Sequence, residues 1–573
     1  MKFTSLTFIS SLFLAATTVQ AKTWLLPIPQ SVEWTGHAAP LSHRFTIRGG
    51  DNNKHVRKAA KRYTDLIFKE RWVKVQVDYE KETLESSKDA LTSLDIIVDD
   101  NKALLDYGID ESYSLEIPQQ GGKATLSAPT WVGALRGLET FSQLVEADHG
   151  NKKKLIAHTV SITDAPSYPH RGVSFDTSRN YFPVEDILRT LDAMSYNKMN
   201  VLHWHATDAQ SWPLESKSHP ELSINGAYSA HEVYGPKQVK QVLDHAESLG
   251  IRVVLEIDMP AHTGIIAETY PDYIIGYHEF WAKYAPEPPA GQIDLLNEDA
   301  WEMVKDLVKE GTETFPDSFY HTGGDEINAA CYELDENIVN YTKEHNMTTH
   351  ELWFDWTNKL VDYVTNDLKK RPIVWEDPIR DGGSLPENVV VQVWTAPPQN
   401  YTSKGHDVIV SNSDYFYLDC GNGGWVGNDP RYISPTQQAT PDDIFNYGGT
   451  GGSWCAPYHT WQRMYTFDPT YGIPEDSPGK IIGGEVCMWN EQGGPTVLDS
   501  KLWPRSGAAA ELWWSGGYDK EGERRTVRQL QPRILDWNYR LVSRGIAAQP
   551  LQPLWCLRHP ERCDLEDPAE AKD

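Results

Sequence analysis

The sequence predicts an α/β protein, a (β/α)8 barrel preceded by a smaller α+β domain. Three observations lead there. From Arg171 onward, apolar strand-like runs alternate with helical patterns until eight runs are counted. Polar and aromatic residues collect just after each run, where a parallel barrel carries its working groups. Before Arg171, strands and helices are mixed and no cluster of chemical groups occurs.

The first element is not part of the fold. Lys2, the apolar run Leu6 to Ala16 and the small residues of "VQA" ending at Ala21 form a secretory signal peptide, residues 1–21, too short to span a bilayer. Residues 22–168 follow as the accessory domain. "SLDIIVDD" and "ESYSLEIP" alternate as strands do, and "HVRKAAKRYTDLIF" and "VGALRGLETFSQLVEA" have helical periodicity. The two prolines of "DAPSYPH" mark the boundary. The barrel is expected over 169–555, and 556–573 is a tail closed by a disulfide.

Within the barrel, "RGVSFDTSR" is the first strand. Pro183 opens a helix whose Val184, Ile187, Leu188, Leu191 and Met194 share one face. "NVLHWHATD" is the second strand, and "PKQVKQVLDHAESLG" is a helix ending at Gly250. "IRVVLEIDMP", "SFYHTGGDE", "PIVWED", "VVVQVW", "HDVIVSN" and "KIIGGEVCMWNE" supply the other six strands. The helical pattern after the sixth is weak. Residues 413–480, rich in Gly, Tyr, Trp and Asp, separate strands seven and eight and read as pocket wall, since connections this long are usually functional or disordered.

Arg179 follows strand one, Asp208 strand two, His262 strand three, and Asp325 with Glu326 strand four. Trp375 ends strand five and Trp394 strand six. Tyr417 and Asp419 come after strand seven, and Trp489 and Glu491 close strand eight. Any one of these alone reads as a helix cap or packing residue; all eight strands contributing together point to a site. The fourth strand adds a particular signal. In a regular strand, neighbours such as Asp325 and Glu326 face opposite ways. Gly323 and Gly324 leave β geometry cheaply, so the chain can turn and bring both acids to the mouth.

"HRGVSFDTSR", "LHWHATDAQSWP", "HTGGDE", "CMWNE" and "LWPRSGAAAELWW" together resemble the β-N-acetylhexosaminidases of glycoside hydrolase family twenty, in their secreted fungal branch. The resemblance covers nearly the whole chain. It implies a retaining, substrate-assisted reaction, in which the 2-acetamido oxygen of the sugar is the nucleophile and an oxazolinium-like intermediate forms. On that basis Glu326 is the general acid and then the base, and Asp325 orients the acetamido N–H. Tyr417 bonds the acetamido oxygen, while Trp375, Trp394 and Trp489 box its methyl group. Arg179, Glu491 and Asp419 hold the outer hydroxyls, with Asp208 and His262 behind Glu326. The resemblance implies no cofactor, and a homodimer as the common assembly. The substrate class is β-linked N-acetylhexosamine at a non-reducing end.

The net charge of -28 excludes nucleic acid and anionic membranes as natural partners. Secretion permits disulfides. Of six cysteines, Cys556 and Cys563 are close in sequence, and Cys420 and Cys455 bracket a Gly-rich loop, so these form the expected pairs. Cys331 and Cys487 are left over. Sequons stand at Asn340, Asn346 and Asn400.

Three other readings compete. "HWH" places His203 and His205 on one strand face, and with His262 and His321 they could imitate a zinc site; hydrogen-bonded interior histidines are the plainer reading. A carbohydrate-binding relic would be expected to lose its acid, and both acids are present. An endo-acting chitinase needs an open groove, against which stand Arg179, Glu491 and the 413–480 segment.

Overall fold

The computed structural model describes residues 24–50, 52–75, 85–148, 154–427, 454–559 and 562–565. The predicted signal peptide and part of the 413–480 segment lie outside them. No helix among the described residues is long and apolar enough to cross a membrane.

The first unit is a seven-stranded sheet in the spatial order Glu85–Ser86, Ser31–Gly49, Leu91–Asp100, Gly122–Thr130, Tyr113–Ile117, Leu155–Asp164 and Val145–Ala147. Ser31–Gly49 also pairs with Leu155–Asp164. Helix Lys54–Glu70 starts at Asn53, whose side chain accepts from the His55 and Val56 N–H groups. Helix Trp131–Gln143 is buried along its whole length, between the sheet and the barrel. It stops earlier than its periodicity suggests. "VEA" turns into the edge strand Val145–Ala147, because Ala147 N–H bonds Trp72 O and the segment pairs with Leu155–Asp164.

Eight parallel strands close the second unit: β1 His170–Asp176, β2 Val201–His205, β3 Arg252–Glu256, β4 Phe319–His321, β5 Arg371–Trp375, β6 Val390–Val393, β7 Asp407–Val410 and β8 Ile481–Met488. Each lies in a run predicted from sequence. Helix Val184–Tyr196 follows Pro183, and helix Pro236–Ser248 ends before Gly250, which takes φ +67°. Beyond β6 there is only a four-residue helix, Gln399–Thr402.

Side-chain parity explains the interior. Outward residues such as Phe175, Leu202, Trp204, Leu255, Val374, Val391 and Met488 pack into the main apolar core under the helices. The inward positions form layers. At the strands' N-terminal ends Val201, Val254, Phe319, Ile373, Val390, Ile409 and Ile482 make an apolar plug. One layer higher the inward residues turn polar. His203 bonds Glu485 and Glu256 (2.9 and 3.0 Å), His170 bonds Glu485 (2.6 Å), and the His321 ring lies 3.1 Å from Glu256. Register puts Asp176, His205, Glu256 and His321 side by side across β1 to β4. Above this layer opens the mouth.

Candidate active site

The chain turns sharply after β4. Gly323, Gly324 and Glu326 all have positive φ, +69°, +104° and +56°. That is costly for a glutamate and free only for the glycines. The result is that Asp325 and Glu326, adjacent in sequence, open into one cavity of about 320 Å³. Bonds fix the turn: Gly323 N–H to His321 Nδ1 (3.0 Å), Gly324 N–H to Asp258 Oδ1 (2.8 Å), Glu326 N–H to Asp377 Oδ1 (3.2 Å).

Beside the acids, His262 is also held at positive φ, +56°. Its Nε2 is 3.4 Å from Glu326 Oε2 and 3.9 Å from Asp325 Oδ2, and its Nδ1 is 3.1 Å from Asp208 Oδ1. Burial works against charging this imidazole, but Asp208 and Asp258 outweigh it and raise its pKa well above the usual histidine value. Asp208 in turn takes Arg179 Nη2 at 2.9 Å and His205 Nε2 at 2.8 Å. Despite its burial, Arg179 and His262 hold it below the carboxylate range.

At the far end, Arg179 is gripped by Glu287 (2.6 Å), Asp208 and Asp176 (3.4 Å), and its guanidinium lies 5.2 Å from the Trp489 ring centre. Glu491 and Asp419 face the same space. Burial, and then Glu287, push Glu491 well above its usual range, and burial lifts Asp419 to about 7. On the third side stand aromatics. The Trp394 and Tyr417 rings are within 10° of parallel with centres 6.5 Å apart, and Trp489 meets Tyr417 at 6.0 Å. Trp394 Nε1–H donates to Asp377 Oδ2 at 2.7 Å, joining this wall to the Glu326 backbone.

The structure thus gathers Arg179, His262, Asp325, Glu326, Trp394, Tyr417, Asp419, Trp489 and Glu491 around one cavity. Asp208 and Trp375 stand behind it. Trp375 is 1% exposed and its indole N–H donates to Glu256 at 2.7 Å. The ring nitrogens of His203 and His205 are all taken by carboxylate oxygens of Glu256, Glu485 and Asp208, the hydrogen-bonded interior arrangement. Asp258, Trp281, Glu287, Trp425 and Trp454 also line the cavity and were not anticipated. Asp258 had a signal, since it continues the inward parity of Glu256. Trp281 opens a four-residue helix, Trp281–Tyr284, too short to show periodicity, and Glu287 lies in the irregular loop after it.

The structure bonds Cys420 to Cys455 and Cys556 to Cys563, leaving Cys331 and Cys487 as buried thiols. The Cys420–Cys455 bond flanks Asp419 and Trp454, one residue from each. Asn340, Asn346 and Asn400 are all exposed. A larger cleft, about 760 Å³, lies outside the barrel between β3 and its neighbouring helices; its walls mix apolar side chains with charged ones such as Lys240, Glu247 and Glu310, and it contains none of these groups.

Comparison with known proteins agrees with this geometry. The family described as "Glycosyl hydrolase family 20, catalytic domain" matches residues 168–517, and "beta-acetyl hexosaminidase like" matches 25–144. The chain is 36% identical to Beta-hexosaminidase 1 of Coccidioides posadasii, over 99% of both chains. It is 32% identical to the human Beta-hexosaminidase subunit beta, over 93% of this chain and 89% of that one. A solved Flavobacterium johnsoniae chitobiase superposes with a TM-score of 0.71 at 26% identity, covering 91% of this chain and 73% of that one. With a closed eight-stranded barrel carrying this cavity at its mouth, the chain belongs to glycosyl hydrolase family 20.

Proposed function

We propose that this protein is an exo-acting β-N-acetylhexosaminidase that removes terminal N-acetylglucosamine or N-acetylgalactosamine from chitin oligomers and glycoconjugates, with retention and with the substrate's acetamido group as nucleophile. The observation that carries this is the turn Gly323–Glu326, which delivers two neighbouring acids to one wall of the cavity beside a slot of aromatic rings. A conventional retaining site needs its two carboxyls about 5 Å apart on opposite sides of the bond. Neighbouring acids on one wall suit the alternative, in which the sugar supplies the nucleophile.

In this reading Glu326, touched by His262, protonates the leaving oxygen and then activates water. Asp325 accepts from the acetamido N–H and balances the growing positive charge. Tyr417 bonds the acetamido oxygen. Trp394 and Trp489 enclose the methyl group, with Trp375 backing Trp489 at 6.0 Å. Arg179, Glu491 and Asp419 bind the outer hydroxyls, while Asp208 and His262 position Glu326. The closure of the cavity by Arg179, Glu287 and Glu491 supports removal of single terminal units over cutting within a chain.

Export fits the signal peptide, the two disulfides and the exposed sequons at Asn340, Asn346 and Asn400. Residues 22–168 then form the accessory domain, 169–555 the catalytic barrel and 556–573 a tail. The deciding experiment is the product pattern from chitin oligomers. Single N-acetylglucosamine units should leave from the non-reducing end; disaccharides or internal fragments would show an endo-acting enzyme instead.

A further inference from the structure

Two acids follow β5, Glu376 and Asp377, and both are fully buried. Neither lines the cavity. Both act on the segment that carries Trp394. Glu376 Oε1 accepts from the Thr395 and Ala396 N–H groups at 2.8 and 3.0 Å, which pins the chain just past the tryptophan. Asp377 takes the side chain: its Oδ2 accepts from the Trp394 indole N–H at 2.7 Å. Its Oδ1 accepts from Glu326 N–H at 3.2 Å and pairs with Arg380 Nη2 at 2.7 Å, and the Arg380 guanidinium stands 5.7 Å from the Trp394 ring centre. Burial raises the Asp377 carboxyl to about 7, with Arg380 and the indole N–H pulling the other way. Both oxygens meet only donors, so the ionised carboxylate is the form these bonds fit.

The ring so held faces Tyr417. The two planes are within 10° of parallel with centres 6.5 Å apart. Trp454 stands 5.8 and 5.7 Å from them, nearly perpendicular to both at 75° and 79°, across the edge of the pair. A carbon touching both faces needs about 3.5–4.0 Å on each side. The slot therefore takes one layer of carbon atoms and no more, and Trp454 stands in the way of a longer chain.

We propose that Asp377 is a positioning residue that fixes the Trp394 indole and so sets the length of N-acyl group the enzyme accepts, two carbons in preference to three or more. The inference rests on the substrate-assisted reading given above, in which this slot encloses the acetamido methyl group. The same carboxylate holds the Glu326 backbone at its positive φ, so the acid and the slot keep one fixed separation.

The test compares aryl β-glycosides of N-acetyl-, N-propanoyl- and N-butanoylglucosamine. The parent should prefer N-acetyl to N-propanoyl by about 10–200-fold in kcat/KM, the usual value of one methylene in a fitted apolar pocket. In Asp377→Asn a single amide oxygen cannot serve both sides. Arg380 and the Glu326 N–H together pull harder, so the oxygen stays with them and the amide NH2 is turned against the indole N–H, donor facing donor. Glu376 still holds the backbone, so the ring is released without the chain. N-acetyl kcat/KM should fall by about tenfold, mainly in kcat, because the acyl oxygen is the nucleophile and loses its alignment. The preference for N-acetyl over N-propanoyl should shrink by about fivefold or more, with N-butanoyl following. A loss of folded enzyme would scale every substrate alike and leave these ratios unmoved.

An acyl preference in Asp377→Asn equal to or above the parent's overturns the inference, as does a parent that takes N-propanoyl as readily as N-acetyl. Thermal melts check folding. If Asp377→Asn does not fold, replacement of Trp394 by benzothienylalanine decides, because sulfur there deletes the N–H and keeps the ring; it should show the same narrowed ratio, and the parent's ratio would overturn the inference. A parent with no turnover of any N-acetylglucosaminide refutes the substrate reading and this inference with it, whereas normal turnover with an unmoved acyl ratio refutes this inference alone.

Discussion

Two groups of buried acids in this molecule contrast sharply. Between the accessory sheet and the barrel, Glu111 takes Arg136 at 2.8 Å, Arg171 at 2.7 Å and Asn200 at 2.8 Å, and Glu70 takes Arg540 at 3.0 Å and Arg544 at 2.9 Å. Burial alone would raise both carboxyls, yet the arginines hold them below the ordinary range. At the barrel mouth the acids outnumber the cations. Asp258, Asp325, Asp419 and Glu491 are all raised, in each case first by burial. A buried acid with its own cation is scaffold, because the pair is satisfied and rigid. A buried acid without one is held at a cost in stability, and such groups cluster where chemistry is done.

The strongest way to break this contrast is at the mouth. Glu326→Gln should slow hydrolysis of natural disaccharides by about 10²–10⁴, since their leaving alcohol needs a proton. With a strongly acidic phenol the loss should shrink. Asp325→Asn should slow formation of the intermediate for good and poor leaving groups alike. Single-turnover rates across phenols of different acidity decide it. A steeper leaving-group dependence in Glu326→Gln alone supports the division of roles; the reverse pattern exchanges the two, and equal slopes abolish it.

At the interface the same kind of change should act on folding alone. Glu111→Gln leaves Arg136 and Arg171 buried with half their ion pair gone, a loss of about 3–5 kcal/mol in unfolding free energy. Turnover per folded molecule should stay at the parent's level. Chemical denaturation and active-site-normalised rates read the two quantities separately. A rate that falls with the stability would show that the interface acid also shapes the mouth.

The two groups also differed in how legible they were. The strands were readable because β-branched and apolar residues fill their outward positions, and the mouth because acids and aromatics follow each strand within a few residues. Asp325 and Glu326 stood out through the glycines beside them. The interface was not readable. Glu111 pairs with Arg171 across 60 residues, and Glu70 with Arg540 across 470, and nothing local in the chain announces a partner at that distance. Glu287 was missed for a similar reason. It reaches Arg179 from 108 residues away, out of a proline-rich loop without period. Trp375 was legible as a strand-end tryptophan, but not that its indole would turn down to Glu256. That depends on the polar inner layer, which only the closed barrel creates.

The most direct test of what the mouth costs is at Asp419. Asp419 is raised by burial to about 7, against an ordinary carboxylate near ~4. Its folded form therefore binds a proton that the unfolded chain has already released across that window. Stability follows the proton balance, so this group makes the parent lose stability as pH climbs from about 4 to about 7, with nothing lost below. The interface acids slope the other way, because their folded pKa values are depressed: their contribution is present above the ordinary carboxylate range and disappears as pH falls through the folded values. Asp419→Asn removes the titration while keeping the shape. Relative to the parent it should gain stability steadily through the window and level off above it, while affinity for the sugar falls. Glu111→Gln should lose most at neutral pH and converge on the parent in acid. Unfolding free energies measured at several pH values give both slopes. Parallel curves for Asp419→Asn and the parent would mean that Asp419 is ionised in the folded protein at no cost, and the distinction between the two groups of acids would not hold at that residue.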